Sequence, residues 1–207
     1  GVHHSSGPAR DSREHAAMDL RAWIRAEHAS VATRLDQAVV AHVPPERWKE
    51  RADGGGASIA WLLFHMAWHQ DLAVSVALRG EGPMLAGRRV ELGLEGVEVW
   101  AGLGEAEQVE VTERLDIVAL RTYAEAVHQS TQGWLAIADL AVLDDVPDSS
   151  PRITELAGVT TTAVPWLHSM WRDKPGAFFV QWEATGHPLS HLGEMISVRG
   201  RLGLSPF

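Results

Sequence analysis

From Ser58 to Gly80 the chain reads SIAWLLFHMAWHQDLAVSVALRG, and this stretch constrains the fold more than any other. Ser58 suits an N-cap and Gly80 a terminator. The residues between them predict a helix about 30 Å long, the length of a bundle helix. Two histidines interrupt its apolar run at spacing i, i+4, which puts His65 and His69 about 40° apart on a helical wheel. Trp61, Leu62, Leu72 and Val76 flank them, so both imidazoles face the interior. The same spacing returns in HPLSH, where His187 and His191 lie among Ala184, Val198 and Leu202, with Glu194 close to one turn beyond. The chain therefore has to bury two imidazole pairs on helix faces.

Three further long helices are predicted. One covers about 12–42, where Trp23, Ile24, Val31, Leu35 and Val39 recur near helical period and Pro44-Pro45 stops the run. Another covers about 112–140, with its stripe formed by Leu115, Val118, Ala119, Tyr123, Ala126, Val127, Trp134 and Ile137. The last starts at Lys174-Pro175-Gly176 and runs to about Leu202, with Pro188 marking a kink or a break at Gly186. The glycine-rich stretch 81–110 reads as a long connection, and 144–151 as a second loop. Thr160-Thr161-Thr162 and Pro165 oppose one continuous helix over 153–171, so short helices are expected there. No stretch shows convincing period-2 alternation. The fold class expected is all-α, a four-helix bundle with long connections between helices two and three and between three and four. Residues 1–11 are read as a flexible N-terminus, with GVHHSSG as a processed or tag-derived end whose His3 and His4 are set aside. Residues 12–207 form the bundle domain.

The 207 residues are 45% apolar, enough for a core without staples. There is no cysteine, which excludes disulfides, thiolate metal sites and a cysteine nucleophile. Any metal has to be held by His, Asp, Glu or water, and any thiol has to come from outside. A net charge of −9 argues against a nucleic-acid partner. No apolar run reaches the roughly 18 residues that span a bilayer, and no signal-peptide pattern opens the chain, so a cytoplasmic location without membrane contact is expected. The basic residues are 16 Arg and 2 Lys, a bias that suggests a GC-rich bacterial genome.

A single inward histidine is ordinarily a core residue hydrogen-bonded to a carbonyl. Four in one bundle need several donors and acceptors in a dry core, and each unsatisfied group costs about 1–3 kcal/mol. A metal removes that problem by using the lone pairs directly. Spacing alone leaves both readings open.

Two motifs carry a resemblance that covers most of the chain beyond the first dozen residues. SIAWLLFHMAWHQDL (58–72) resembles the second-helix signature of the DinB/YfiT-like superfamily of metal-binding four-helix bundles, and GHPLSHLGEMISVRGRLGL (186–204) resembles its last-helix signature. The segment LRTYAEAV with Trp134 downstream is similar to the actinobacterial branch. The resemblance implies a metal triad of His65, His187 and His191. His69 lies outside it, one turn below His65, where packing or support of a ligand is expected ahead of its adding a further ligand. Three neutral imidazoles with an open position describe a catalytic site, with zinc foremost and nickel the alternative.

Branches of the superfamily include thiol S-transferases. The resemblance thus implies a metal-dependent transferase that activates a low-molecular-weight thiol, mycothiol, for attack on a small electrophile. The alternative is a non-catalytic metal-binding stress-response protein. Glu194 is the expected catalytic carboxylate, and Arg199, Arg201 and Tyr123 are the expected thiol-cofactor contacts. Bundles of this type often pair through helix faces, so a homodimer is among the expected partners. A ferritin-like di-iron bundle, which needs Glu-x-x-His pairs, ranks last.

Overall fold

The computed structural model describes residues 18–100 and 103–207, and the expected N-terminal segment and the expected helix start near Ser12 lie outside them. Among the described residues the secondary structure is all helical. Helix α1 (Leu20–Leu35) continues through a π-helical stretch, Asp36–Val40. Helix α2 (Ile59–Gln70) continues likewise through Asp71–Leu78. Then come α3 (Glu105–Arg114), α4 (Ile117–Ile137), α5 (Ser149–Ala157) and α6 (Pro165–Trp171). A last rod comprises one turn, α7 (Gly176–Phe178), a π-helical segment, Phe179–Gly186, and α8 (His187–Arg201). Helices α1 and α2 each pack on both α4 and α8, which closes a four-membered bundle.

Helix α2 is its axis. From Ile59 to Leu78 every residue except His65 is buried. A helix that is apolar all round belongs inside a protein, and Ser58 starts it as expected, its hydroxyl accepting from Trp61 N at 3.1 Å. Its end is covered by α5, whose Arg152 guanidinium donates to the carbonyls of Ala77 (2.8 Å) and Leu78 (2.9 Å). These are carbonyls that a helix end leaves unpaired.

The connection after α2 is more ordered than its composition suggests. Asp71, fully buried, accepts from Met84 N (3.1 Å), Leu85 N (3.0 Å) and Tyr123 Oη (2.9 Å). One carboxylate thus pins the 3₁₀ turn Met84–Gly87 and α4 to the axis. The connection also contains α3, so the single third helix expected over 112–140 is two helices. They part at Leu115, which is extended (φ −55°, ψ 125°) and buried. Asp116 restarts the chain as an N-cap, accepting from Ala119 N at 2.8 Å. The loop expected over 144–151 gives way at Ser149 to α5, where Pro151 sits in the first turn and its missing N–H costs no hydrogen bond. The short helices expected over 153–171 are present as the end of α5 and α6.

Pro188 does not break the last rod. It occupies the first turn of α8, directly after the wider π-helical segment, so its ring avoids the clash it meets inside a regular helix. Gly186 has its own constraint, because a Cβ there would lie 2.8 Å from the Trp182 ring.

Candidate metal centre

The axis helix and the last rod bring both histidine pairs together. Ring centroids of His65 and His69 are 4.4 Å apart, and those of His187 and His191 also 4.4 Å. Across the helix boundary His65 lies 4.7 Å from His191 and 5.2 Å from His187, while His69 lies 4.6 Å from His187. His65, His187 and His191 are half-buried and His69 is buried, so the cluster has a wet side and a dry side. Trp166 and Trp182, both partly exposed, flank it with ring centroids 6.3 Å from His69 and 6.2 Å from His187, and Trp61 stacks against His65 at 5.8 Å.

Carboxylates fix the proton on one histidine of each pair. Glu183 Oε2 is 3.3 Å from His69 Nδ1, and Glu194 Oε2 is 3.0 Å from His191 Nδ1. A carboxylate accepts, so each ring donates to it from Nδ1. His191 Nε2 faces His187 Nε2 at 2.9 Å. His69 Nε2 and His187 Nδ1 are buried and find no hydrogen-bond partner among the described residues. Burial, then the neighbouring imidazoles His69, His191 and His187, hold His65 far below the ordinary histidine range. Burial first, then His69 and His191, lowers His187 to about 3. Both rings are neutral at physiological pH and offer lone pairs without first losing a proton.

This donor set fits a divalent cation. Ligand nitrogens of His65, His69 and His187 lie within 4.8 Å of one another. Two nitrogens sharing a tetrahedral ion at about 2.1 Å stand about 3.4 Å apart, and about 3 Å at a right angle. The 2.9 Å between His187 Nε2 and His191 Nε2 already meets the latter. The partnerless Nε2 of buried His69 is the observation that decides the fit, since a cation is the partner it lacks.

A family model described as the DinB superfamily matches residues 30–163. The chain belongs to the DinB superfamily. The matched span contains α2 with His65 and His69 and ends before His187. A crystal structure of "the conserved protein of locus" from Enterococcus faecalis is similar in fold, with TM-score 0.59 at 18% identity over 90% of this chain and 99% of that chain. No curated protein matches the chain.

Within this DinB bundle the other expected site residues go to different places. Glu194 is at the cluster, against His191. Tyr123 is fully buried and donates its hydroxyl to Asp71 rather than toward the histidines. Burial and the adjacent Asp71 raise its pKa well above the ordinary phenol value, so it stays protonated. Arg199 is buried too, and its guanidinium donates to the carbonyl of Ala38 at the end of α1. Arg201 alone among the three is well exposed, 3.7 Å from Asp53 Oδ2. A concavity of about 450 Å³ lies on another face of α2, lined by Leu63, Met66, Gln70, Glu125 and His128, and not by the clustered histidines.

Sequence reasoning missed Glu183. It is fully buried, its Oε1 accepts from Trp171 Nε1 at 2.8 Å, and its other oxygen holds His69. A carboxylate one turn before His187 was a signal in the sequence, though burial alone gives it meaning.

Proposed function

We propose that this DinB protein is a metal-dependent transferase in which His65, His187 and His191 hold a divalent cation, zinc foremost, and a low-molecular-weight thiol attacks a small electrophile. The convergence of imidazoles from two helices, with His187 Nε2 and His191 Nε2 at 2.9 Å, carries the reading. A bound cation supplies Lewis acidity that lowers the pKa of a thiol toward neutrality. With no cysteine in the chain, that thiol is a co-substrate. Mycothiol is the thiol proposed, on the arginine-rich, lysine-poor composition and the resemblance to thiol transferases.

The chain's own groups divide the remaining work. Glu194 orients His191 and, being exposed at the cluster's wet side, accepts the thiol proton. Trp166 and Trp182 present apolar faces that exclude water from a docked electrophile. The thiolate then forms an S–C bond while the leaving group departs with the electron pair of the bond that breaks. Of the three expected thiol-cofactor contacts, Arg201, exposed and near Asp53, is the one proposed for an anionic thiol cofactor, since the guanidinium of Arg199 and the hydroxyl of Tyr123 are already committed.

Metal analysis of untreated protein, paired with turnover of mycothiol and a monochlorobimane-type electrophile, tests the proposal. His191→Ala should lose metal and conjugation together; an active, metal-free variant overturns the reading. A second reading, metal binding without turnover, draws on the concavity of about 450 Å³ on another face of α2, whose lining does not include the clustered histidines. Full metal occupancy with no rate against several thiols and electrophiles selects it.

A further inference from the structure

His69 was expected to pack or to support a ligand. Its surroundings assign it more. The ring is 3% exposed, its Nδ1 is held by Glu183 Oε2 at 3.3 Å, and its Nε2 is buried without a partner. The ring lies against two other histidines, with centroids 4.4 Å from His65 and 4.6 Å from His187, and one nitrogen from each of the three rings lies within 4.8 Å of the others.

A packing histidine in this protein looks different. His168, as buried, has Nδ1 on Ser150 Oγ at 2.6 Å and Nε2 on the Val159 carbonyl at 2.8 Å. Both nitrogens are used, as the cost of burying an unpaired polar atom demands. His69 has one nitrogen fixed by a buried carboxylate and the other bare. That is the arrangement by which a carboxylate sets the tautomer of a metal-binding imidazole and raises its basicity.

Glu183 is itself over-determined. It is fully buried in the π-helical segment before α8, and its second oxygen accepts from Trp171 Nε1 at 2.8 Å. Trp171 closes α6, so the carboxylate ties three elements, α6, the last rod and α2, to one imidazole. Burying a carboxyl group is costly, and its contacts with Trp171 and His69 offset that cost.

We propose that His69 is a fourth protein ligand of the metal centre, and that Glu183, fixed by Trp171, is the residue that positions it. The inference rests on the metal reading above and goes beyond its three-histidine set. Its chemical consequence is coordination number. Four imidazoles fill a tetrahedral ion, so entry of a thiol requires an ion that expands to five or six ligands. The dry side of the site is then built by His69 and Glu183, and the wet side by His191 and Glu194.

Loading with Co²⁺ alone tests this without any assay of activity. Wild type, His69→Gln, Glu183→Gln and His191→Ala are titrated against a competing chelator. X-ray absorption counts imidazoles on the ion, and melting of each apo-protein checks folding. The expected result is four imidazoles in wild type and three in His69→Gln, with affinity reduced roughly 100-fold. Glu183→Gln, which keeps the volume and an acceptor for Trp171, should keep the fold and lose affinity about 10–100-fold. His69→Gln with an unchanged imidazole count and affinity overturns the fourth ligand while leaving the three-histidine centre intact. Wild type that takes up no Co²⁺ overturns that centre itself, a different outcome. Should His69→Gln fail to fold, Glu183→Gln and the wild-type count decide alone, and three imidazoles in wild type sink the proposal.

Discussion

Two groups of buried histidines sit on different faces of the same axis helix, and they solve the same physical problem differently. His28 on α1 is fully buried, and both its nitrogens meet side-chain amides: Nδ1, 2.8 Å from Gln132 Nε2, accepts, and Nε2, 2.9 Å from the Gln70 amide, donates once that amide is turned to present its oxygen. Gln70 continues to Thr131 Oγ1 at 2.9 Å, and the ring stacks on His128 at 4.3 Å. Every polar atom of that ring has a use inside the protein. On the other face, four imidazoles crowd one another and leave two nitrogens with none. Burial and spacing do not separate a structural histidine from a ligand; the accounting of its two nitrogens does. The chain's Glu-x-x-His sequence, Glu125 to His128, illustrates the point, since it belongs to the first group and lies apart from the clustered histidines.

The difference can be broken most directly by exchanging roles. His187→Ala should reduce metal affinity by at least about 100-fold, with little loss of apo-protein stability, because it removes a ring whose Nδ1 is unpaired. Chelator competition and calorimetry on the apo-protein measure the two halves. His28→Ala should do the opposite. It strands Gln70 and Gln132 and opens a cavity, costing about 2–4 kcal/mol by denaturant titration, while metal content stays unchanged. Metal loss in His28→Ala with stability intact would erase the distinction.

Acidification sharpens it further. The folded pKa of His28 is lowered to about 3, by burial first and then by His128, and that of His187 also to about 3. The unfolded chain takes up protons near the ordinary value of about 6.5. The stability carried by these neutral rings is therefore present above about pH 6.5 and is lost as pH falls toward 3. The slope reaches at most about 1.4 kcal/mol per pH unit for each histidine. Metal-free protein should show this loss from both groups. His28→Gln should remove one histidine's share of the slope, read from denaturation midpoints between pH 7 and 4. The smallest effect expected is that of Glu194→Gln. Its side chain is 57% exposed, so its hold on His191 is screened, and metal affinity should fall only about threefold to tenfold. A loss as large as that from His187→Ala would make Glu194 a ligand rather than an orienting group.

Much of the bundle was legible in the sequence because its signals are local. Ser58 caps α2, Pro44-Pro45 follows α1, and the Thr160–Thr162 run separates two short helices, as helix-end chemistry predicts. The break at Leu115 was not legible. An apolar residue at helical period looks the same whether it continues a helix or plugs the core from an extended turn. The order in the connection after α2 was hidden for a similar reason, because it depends on Asp71, whose partners Met84, Leu85 and Tyr123 are distant in sequence. The same carboxylate removes the Tyr123 hydroxyl from the site, and the end of α1 removes the Arg199 guanidinium.

By itself the sequence determined that two helices each carry an inward-facing pair of histidines, because i, i+4 spacing on an apolar face follows from helix geometry alone. It also determined that no thiolate of the chain's own takes part, because there is no cysteine. Only the tertiary structure decided which histidines find other partners and which are left facing one another. Hydrogen-bond satisfaction of a buried ring is a property of everything packed around it. Gln70, Gln132, Ser150, Glu183 and the Val159 carbonyl reach those rings from other elements of the fold or from across a turn.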